Sequence, residues 1–116
     1  MKKLIISFSH AFAGIRSLFA HERNAKWHLL FATIAVVLGF YTQISKFEWI
    51  VVLVCIAMVI SAEAYNTAIE KLCDIVQPEK DPRIKVIKDV SAAAVLILSL
   101  AALIIGGLIF VPKLIN

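Results

Sequence analysis

Three long apolar runs dominate the chain: Leu29 to Ile44, Phe47 to Ala62 and Val90 to Val111. Glu48, near the start of the second, is their only charged residue. A transmembrane helix needs about 20 apolar residues, within a range of roughly 17–25. The first run is short by that measure, and Trp27 and His28 extend it at the interface. The pattern predicts three spans, over about 27–44, 47–65 and 88–111. Start and stop signals agree with it. Ser45-Lys46-Phe47-Glu48 matches the S-x-x-E capping box, so a turn at Thr42–Lys46 is expected to open into the second span. Asp81-Pro82 reads as an N-cap followed by proline in the first helical turn. Gly106-Gly107 lies inside the third run, and Pro112 is expected to end it.

The N-terminal stretch has a different period. Leu4, Ile5, Phe8, Phe12, Ile15 and Phe19 recur at helical spacing, while Lys2, Lys3, Ser7, His10 and Arg16 fall largely elsewhere. A helix over about 2–20 is predicted, lying in the membrane interface. An ordinary amphipathic helix packed on its neighbours is the alternative. The fold class expected is all-α integral membrane: three transmembrane helices plus an N-terminal amphipathic surface helix.

Composition strengthens the membrane reading. Of 116 residues, 61% are hydrophobic and 17% charged, against roughly 45–50% and about 25% in a soluble domain. Mean hydropathy is +0.91. Disorder is excluded by hydrophobicity, and a two-domain soluble enzyme by length. With no internal repeat, residues 1–116 read as one membrane-embedded domain. Twelve Lys and Arg against eight Asp and Glu give a formal charge of +4. A basic balance suits nucleic acid or an anionic membrane, and the apolar runs decide for membrane, with no nucleic-acid partner expected. Lys2, Lys3, Arg16, Arg23 and Lys26 precede the first span; Lys71, Lys80, Arg83, Lys85 and Lys88 lie between the second and third. Only Lys46 and Lys113 fall on the other side. The positive-inside rule then makes this a multi-pass protein with a cytoplasmic N-terminus. No cleavable signal peptide is expected. Cys55 and Cys73 have no CxxC or metal spacing, and Cys55 reads as a small core residue.

Candidate chemistry concentrates on the second helix. Glu63, Asn66, Glu70 and Asp74 are three, four and four residues apart, which puts them within an arc of about 80°. Phe47 to Glu63 covers about 24 Å of helix in a hydrocarbon core about 30 Å thick. Glu63 should therefore sit near the cytoplasmic headgroup boundary, with Glu70 and Asp74 beyond it toward water. Such a stripe runs from lipid into cytoplasm, the placement needed to join a lipid hydroxyl to a water-soluble phosphate donor. Three close carboxylates repel one another without a cation, and ionisable groups at membrane depth mark function. A solvated face on a protruding helix is the alternative. Lys71 offers a partner to Asp74 or Glu70. Lys88-Asp89 precedes the small-residue run Ser91-Ala92-Ala93-Ala94, which would bring both toward the stripe. A snorkelling Lys paired with its neighbouring Asp is the plainer reading. Glu22 stands just before the first span, beside Arg23. Four glycines, Gly14, Gly39, Gly106 and Gly107, rule out a P-loop or dinucleotide fingerprint. His10, His21 and His28 read as interface histidines rather than ligands.

Glu63-Ala64-Tyr65-Asn66-Thr67-Ala68-Ile69-Glu70, then Asp74, then Lys88-Asp89-Val90-Ser91-Ala92-Ala93-Ala94-Val95, resemble the small prokaryotic diacylglycerol kinase family. Glu22-Arg23-Asn24 falls in the family's place before the first span, and the resemblance covers nearly the whole chain. It implies a homotrimer in the bacterial cytoplasmic membrane, with active sites between subunits near the cytoplasmic interface. It implies Glu63 as catalytic base and Glu22 and Glu70 as holders of the Mg²⁺ that accompanies ATP. Asn66, Lys88 and Asp89 would line the nucleotide and phosphate site, and His10, Glu79 and Asp81 fall where the family contacts the nucleotide. The segments Glu22–His28 and Ile44–Trp49 look like the family's undecaprenol-phosphorylating branch; the diacylglycerol branch usually has an acid where His28 stands. The expected partners are therefore ATP and a membrane lipid, undecaprenol or alternatively diacylglycerol. A reading from another class, a non-catalytic membrane subunit or small transporter, would use Glu63 to bind a proton and leave Glu22 and Lys88-Asp89 without a task.

Overall fold

The computed structural model describes all 116 residues as four helices: α1 (Lys2–His21), α2 (Arg23–Tyr41), α3 (Lys46–Val76) and α4 (Pro82–Ile115). The elements are those expected, although α3 and α4 run well beyond their apolar bodies. The helices α3 and α4 are long and apolar enough to cross a membrane. The helix α2, 19 residues long, carries the shorter first run.

Local chemistry sets each boundary. Glu22 breaks α1 from α2 with one extended residue, φ −104° and ψ 117°. The α2–α3 turn is a Schellman stop: the Ile44 amide donates to the Gly39 carbonyl at 3.2 Å and the Gln43 amide to the Phe40 carbonyl at 3.4 Å. Gln43 takes the left-handed conformation there, with φ 52°. The capping box then starts α3 as expected. The Glu48 amide donates to Ser45 Oγ at 3.1 Å, and the Ser45 amide to Glu48 Oε1 at 2.9 Å. At α4, Asp81 Oδ1 accepts from the Arg83 amide at 2.9 Å, and Pro82 stands at the first turn.

Three details correct the expectation. Pro112 does not end α4, which continues to Ile115. Proline forfeits one hydrogen bond and crowds the carbonyl four residues back. Here it stands in the last turn, beside Phe110, which is buried against Ile44 and Val52. Cys55 is only half-buried; the buried cysteine is Cys73. Of the small-residue run, Ser91 alone is buried.

The best-packed region lies at the α2–α3 turn, where Ile44, Val52 and Phe110 meet Ala35, Leu38, Trp49, Ile56 and Ile109. Gly39 is required there, because a Cβ on it would fall 2.6 Å from Trp49 Cη2. Elsewhere the molecule is open. Its radius of gyration is 17.1 Å, against roughly 13 Å for a compact domain of this length. Only 12 of 116 residues are buried. The helix α1 buries only Leu18, and its row of Leu4, Ile5, Phe8, Phe12 and Ile15 faces outward. The chain itself therefore does not cover the apolar face of α1.

Candidate active site

The α3 stripe forms as its spacing requires, and α2 and α4 close on it from two sides. Glu63 is the most buried charged residue, 3% exposed, with Asn66 and Thr67 buried beside it. Asn66 Nδ2 donates to Glu70 Oε1 at 3.2 Å, which fixes that carboxylate one turn along the helix. Glu22, at the α1–α2 break, and Glu70 are the acidic neighbours of Glu63. Ala25, 1% exposed, supplies the small side chain that lets the start of α2 come this close.

Basic side chains approach from three elements. His28 Nε2 of α2 lies 3.6 Å from Glu63 Oε2. Lys71 Nζ lies 3.7 Å from Glu22 Oε1. Lys88 Nζ of α4 donates to Asp74 Oδ1 at 2.6 Å across the α3–α4 interface. Two expected pairings are thereby corrected. Lys71 serves Glu22, not Asp74 or Glu70, because it stands on the flank of the stripe that faces the α1–α2 break. Lys88 and Asp89 do not pair: neighbours on a helix point about 100° apart. Asp89 turns outward to Lys85, at 2.6 Å.

Glu22, Glu63, Asn66, Glu70, Asp74 and Lys88 thus share one site within a single chain. His10 and Glu79 are exposed and have no polar partner. Asp81 caps α4, and Arg83 Nη2 donates to its Oδ2 at 2.7 Å. Hydrogen bonds from the Arg83 side chain and amide hold the Asp81 carboxyl well below the usual carboxylate range. Sequence reasoning missed His28. A histidine at the edge of an apolar run reads as an interface residue, and only helix packing aims its ring at Glu63.

Two further features complete the site. A largely apolar groove of about 550 Å³ runs from His28 past Ala32 and Val59 to Gly106 and Phe110. Asn66 Oδ1 and Ser91 Oγ are buried without a hydrogen-bond partner. No group of three acidic, histidine or cysteine side chains in the chain is arranged to hold a metal ion unaided. The oxygen-rich donor set of Glu22 and Glu70 nevertheless suits Mg²⁺. That ion binds through one or two carboxylates plus waters and substrate phosphates rather than a full protein cage. The orphaned Asn66 Oδ1, beside Glu70, is one more oxygen in need of a positive partner.

The chain is thus an all-helical protein with two membrane-length helices and an acid stripe faced by lysine. The chain belongs to the prokaryotic diacylglycerol kinase family, a family of lipid kinases, whose model matches residues 9–110. It is 36% identical over 114 residues to undecaprenol kinase of Bacillus subtilis (strain 168), covering 98% of this chain and 93% of that protein. It is 34% identical over 119 residues to diacylglycerol kinase of Synechocystis sp. (strain ATCC 27184 / PCC 6803 / Kazusa), covering 97% of this chain and 65% of that protein. A diacylglycerol kinase of Haemophilus influenzae (strain ATCC 51907 / DSM 11121 / KW20 / Rd) is 28% identical, covering 92% of each.

Proposed function

We propose that this chain transfers the γ-phosphoryl group of ATP to the hydroxyl of undecaprenol or a similar polyprenol at the cytoplasmic face of the membrane. The observation that carries the chemistry is the buried Glu63, with Glu22 and Glu70 as its acidic neighbours and His28, which lines the apolar groove, 3.6 Å from its Oε2. The 36% identity to an undecaprenol kinase, over nearly all of both chains, favours the polyprenol. Diacylglycerol is the second reading, supported by the two diacylglycerol kinases among the relatives.

In this reading Glu63 is the general base. It takes the proton from the lipid hydroxyl as that oxygen attacks the γ-phosphorus, and the bond from phosphorus to the ADP oxygen breaks. Phosphoryl transfer is chiefly positioning and charge neutralisation, and the other residues supply both. Glu22 and Glu70 would hold Mg²⁺, which would offset phosphate charge. Asn66 fixes Glu70 through its amide. Lys88 exchanges Asp74 for phosphate oxygens, and Asp89 holds Lys85 at the nucleotide side. Exposed His10, Glu79 and the Asp81–Arg83 pair contact the nucleotide once subunits assemble. All of residues 1–116 then form one domain, with α1 in the interface and α2, α3 and α4 as three spans. The unit is a homotrimer in the bacterial cytoplasmic membrane, with its N-terminus inside.

The test is phosphate transfer in lipid micelles. Purified protein, Mg²⁺ and γ-labelled ATP are offered undecaprenol and diacylglycerol separately, with Glu63→Gln as control. Preferred labelling of undecaprenol is expected. Loss of the base should lower kcat about 10²- to 10⁴-fold. Preference for diacylglycerol moves the chain to the second reading. Near-normal turnover by folded Glu63→Gln removes the base assignment.

A further inference from the structure

We propose that His28 is the positioning residue for Glu63: its Nε2–H holds Oε2 of the carboxylate and so turns the other oxygen toward the acceptor hydroxyl. The inference rests on the lipid-kinase reading above and assigns a residue that the reading does not use.

The need follows from the surroundings of Glu63. Its side chain is 4% exposed and makes no hydrogen bond. Its charged neighbours on other turns, Glu22 and Glu70, are acids and cannot donate to it. The amide of Asn66, one turn along the same helix, is already given to Glu70. A carboxylate among like charges, without a donor, has no preferred rotation about its last bond. A general base needs one, because it must face the proton it takes.

His28 is the group that supplies the missing donor. Its Nε2 stands 3.6 Å from Glu63 Oε2, and its own side chain is 18% exposed. That separation is about 0.4 Å beyond the usual limit of about 3.2 Å for N–H···O. Catalytic hydrogen bonds in unliganded sites are commonly long and tighten when substrate arrives. No other protein group engages the ring, so the tautomer with hydrogen on Nε2 is free to form. The ring acts as a neutral donor, and no change of its charge is required. His28 also lines the apolar groove while standing beside Glu63. An alcohol entering along that groove therefore reaches His28, the residue next to the carboxylate.

Three variants separate a donor from a space-filler: H28Q, which keeps an N–H at similar reach, and H28L and H28M, which keep apolar bulk. Each is purified in mild detergent, checked for native helix content and elution, and assayed for kcat and for KM of both substrates. If H28L fails to fold, H28M carries the comparison. The expected result is a fall in kcat of about 10- to 100-fold for H28L and H28M, with both KM values within about twofold and H28Q within about threefold of wild type. The reverse order, with H28L active and H28Q impaired, overturns the proposal, because a packing role prefers the apolar residue. Equal activity of all three overturns it, as does a change confined to KM. Failure of the wild type to label any lipid overturns the kinase reading itself and is seen separately, in the undecaprenol and diacylglycerol assays.

Discussion

At the scale of the residue, the chain gathers its fully buried polar side chains on the facing parts of α3 and α4. Glu63, Asn66, Thr67 and Ser91 are its buried polar residues. Burying such groups without full pairing is unfavourable, and three polar atoms, on Asn66, Ser91 and the half-buried Ser99, stay unpaired. A site that must receive substrate keeps such unmet valences. The metal assignment makes a distinct prediction. A charged partner is worth about 1.5–3 kcal/mol, so Glu70→Gln should raise the Mg²⁺ concentration for half-maximal activity about 10- to 100-fold. A magnesium titration of the purified variant checks this; an unchanged requirement removes Glu70 from the ligand set. The stripe that holds these residues was legible in the sequence, because spacing along one helix fixes which side chains share a face. The partners of Lys71 and Lys88 were not, because each reaches across to another element.

At the scale of the element, capping and close approach decide where helices begin, end and touch. Gly39 lets the Trp49 ring lie against α2. Gly39→Ala adds helix propensity, worth about 1 kcal/mol, but forces a rigid ring and a packed helix apart, at about 1–3 kcal/mol. A net loss of stability with a shift in tryptophan emission is expected, read by thermal unfolding in detergent. At the other end, Asp81 caps α4. Its carboxyl is lowered in the folded state, so its contribution is complete above the ordinary carboxylate range and is lost only as pH falls through the lowered value. Asp81→Ala should therefore lower the melting temperature equally at about pH 5 and about pH 8, both above the carboxylate range near 4. A gap that widens between those two pH values contradicts this. The capping box and Asp81-Pro82 were readable beforehand, since both are local. The Schellman stop at Gln43 was not: glutamine carries no αL signal, and packing of Ile44 and Trp49 selects that conformation.

At the scale of the whole molecule, the chain by itself is unfinished. Twelve buried residues make a small core, and large apolar side chains stay exposed on every helix. Lipid covers some of that surface. The proposed trimer covers more and adds walls to a site that one subunit leaves open. Amine-directed cross-linking in mild detergent, under conditions that support turnover, should yield a three-subunit species. Activity from a species that remains wholly monomeric defeats the trimer.

By itself the sequence determined what depends on neighbours along the chain. The apolar run lengths specified membrane helices. Helical periodicity placed Glu63, Asn66, Glu70 and Asp74 on one face, and cap residues marked the starts of α3 and α4. Only the tertiary structure decided what depends on distance through space. It brought Glu22 to the stripe, paired Lys88 with Asp74 rather than Asp89, turned His28 onto Glu63 and carried α4 through Pro112. The reason is one of range. Backbone geometry relates residues up to four positions apart through a fixed rise and rotation, whereas contacts between helices depend on which faces pack, and the packing is set jointly by all of them.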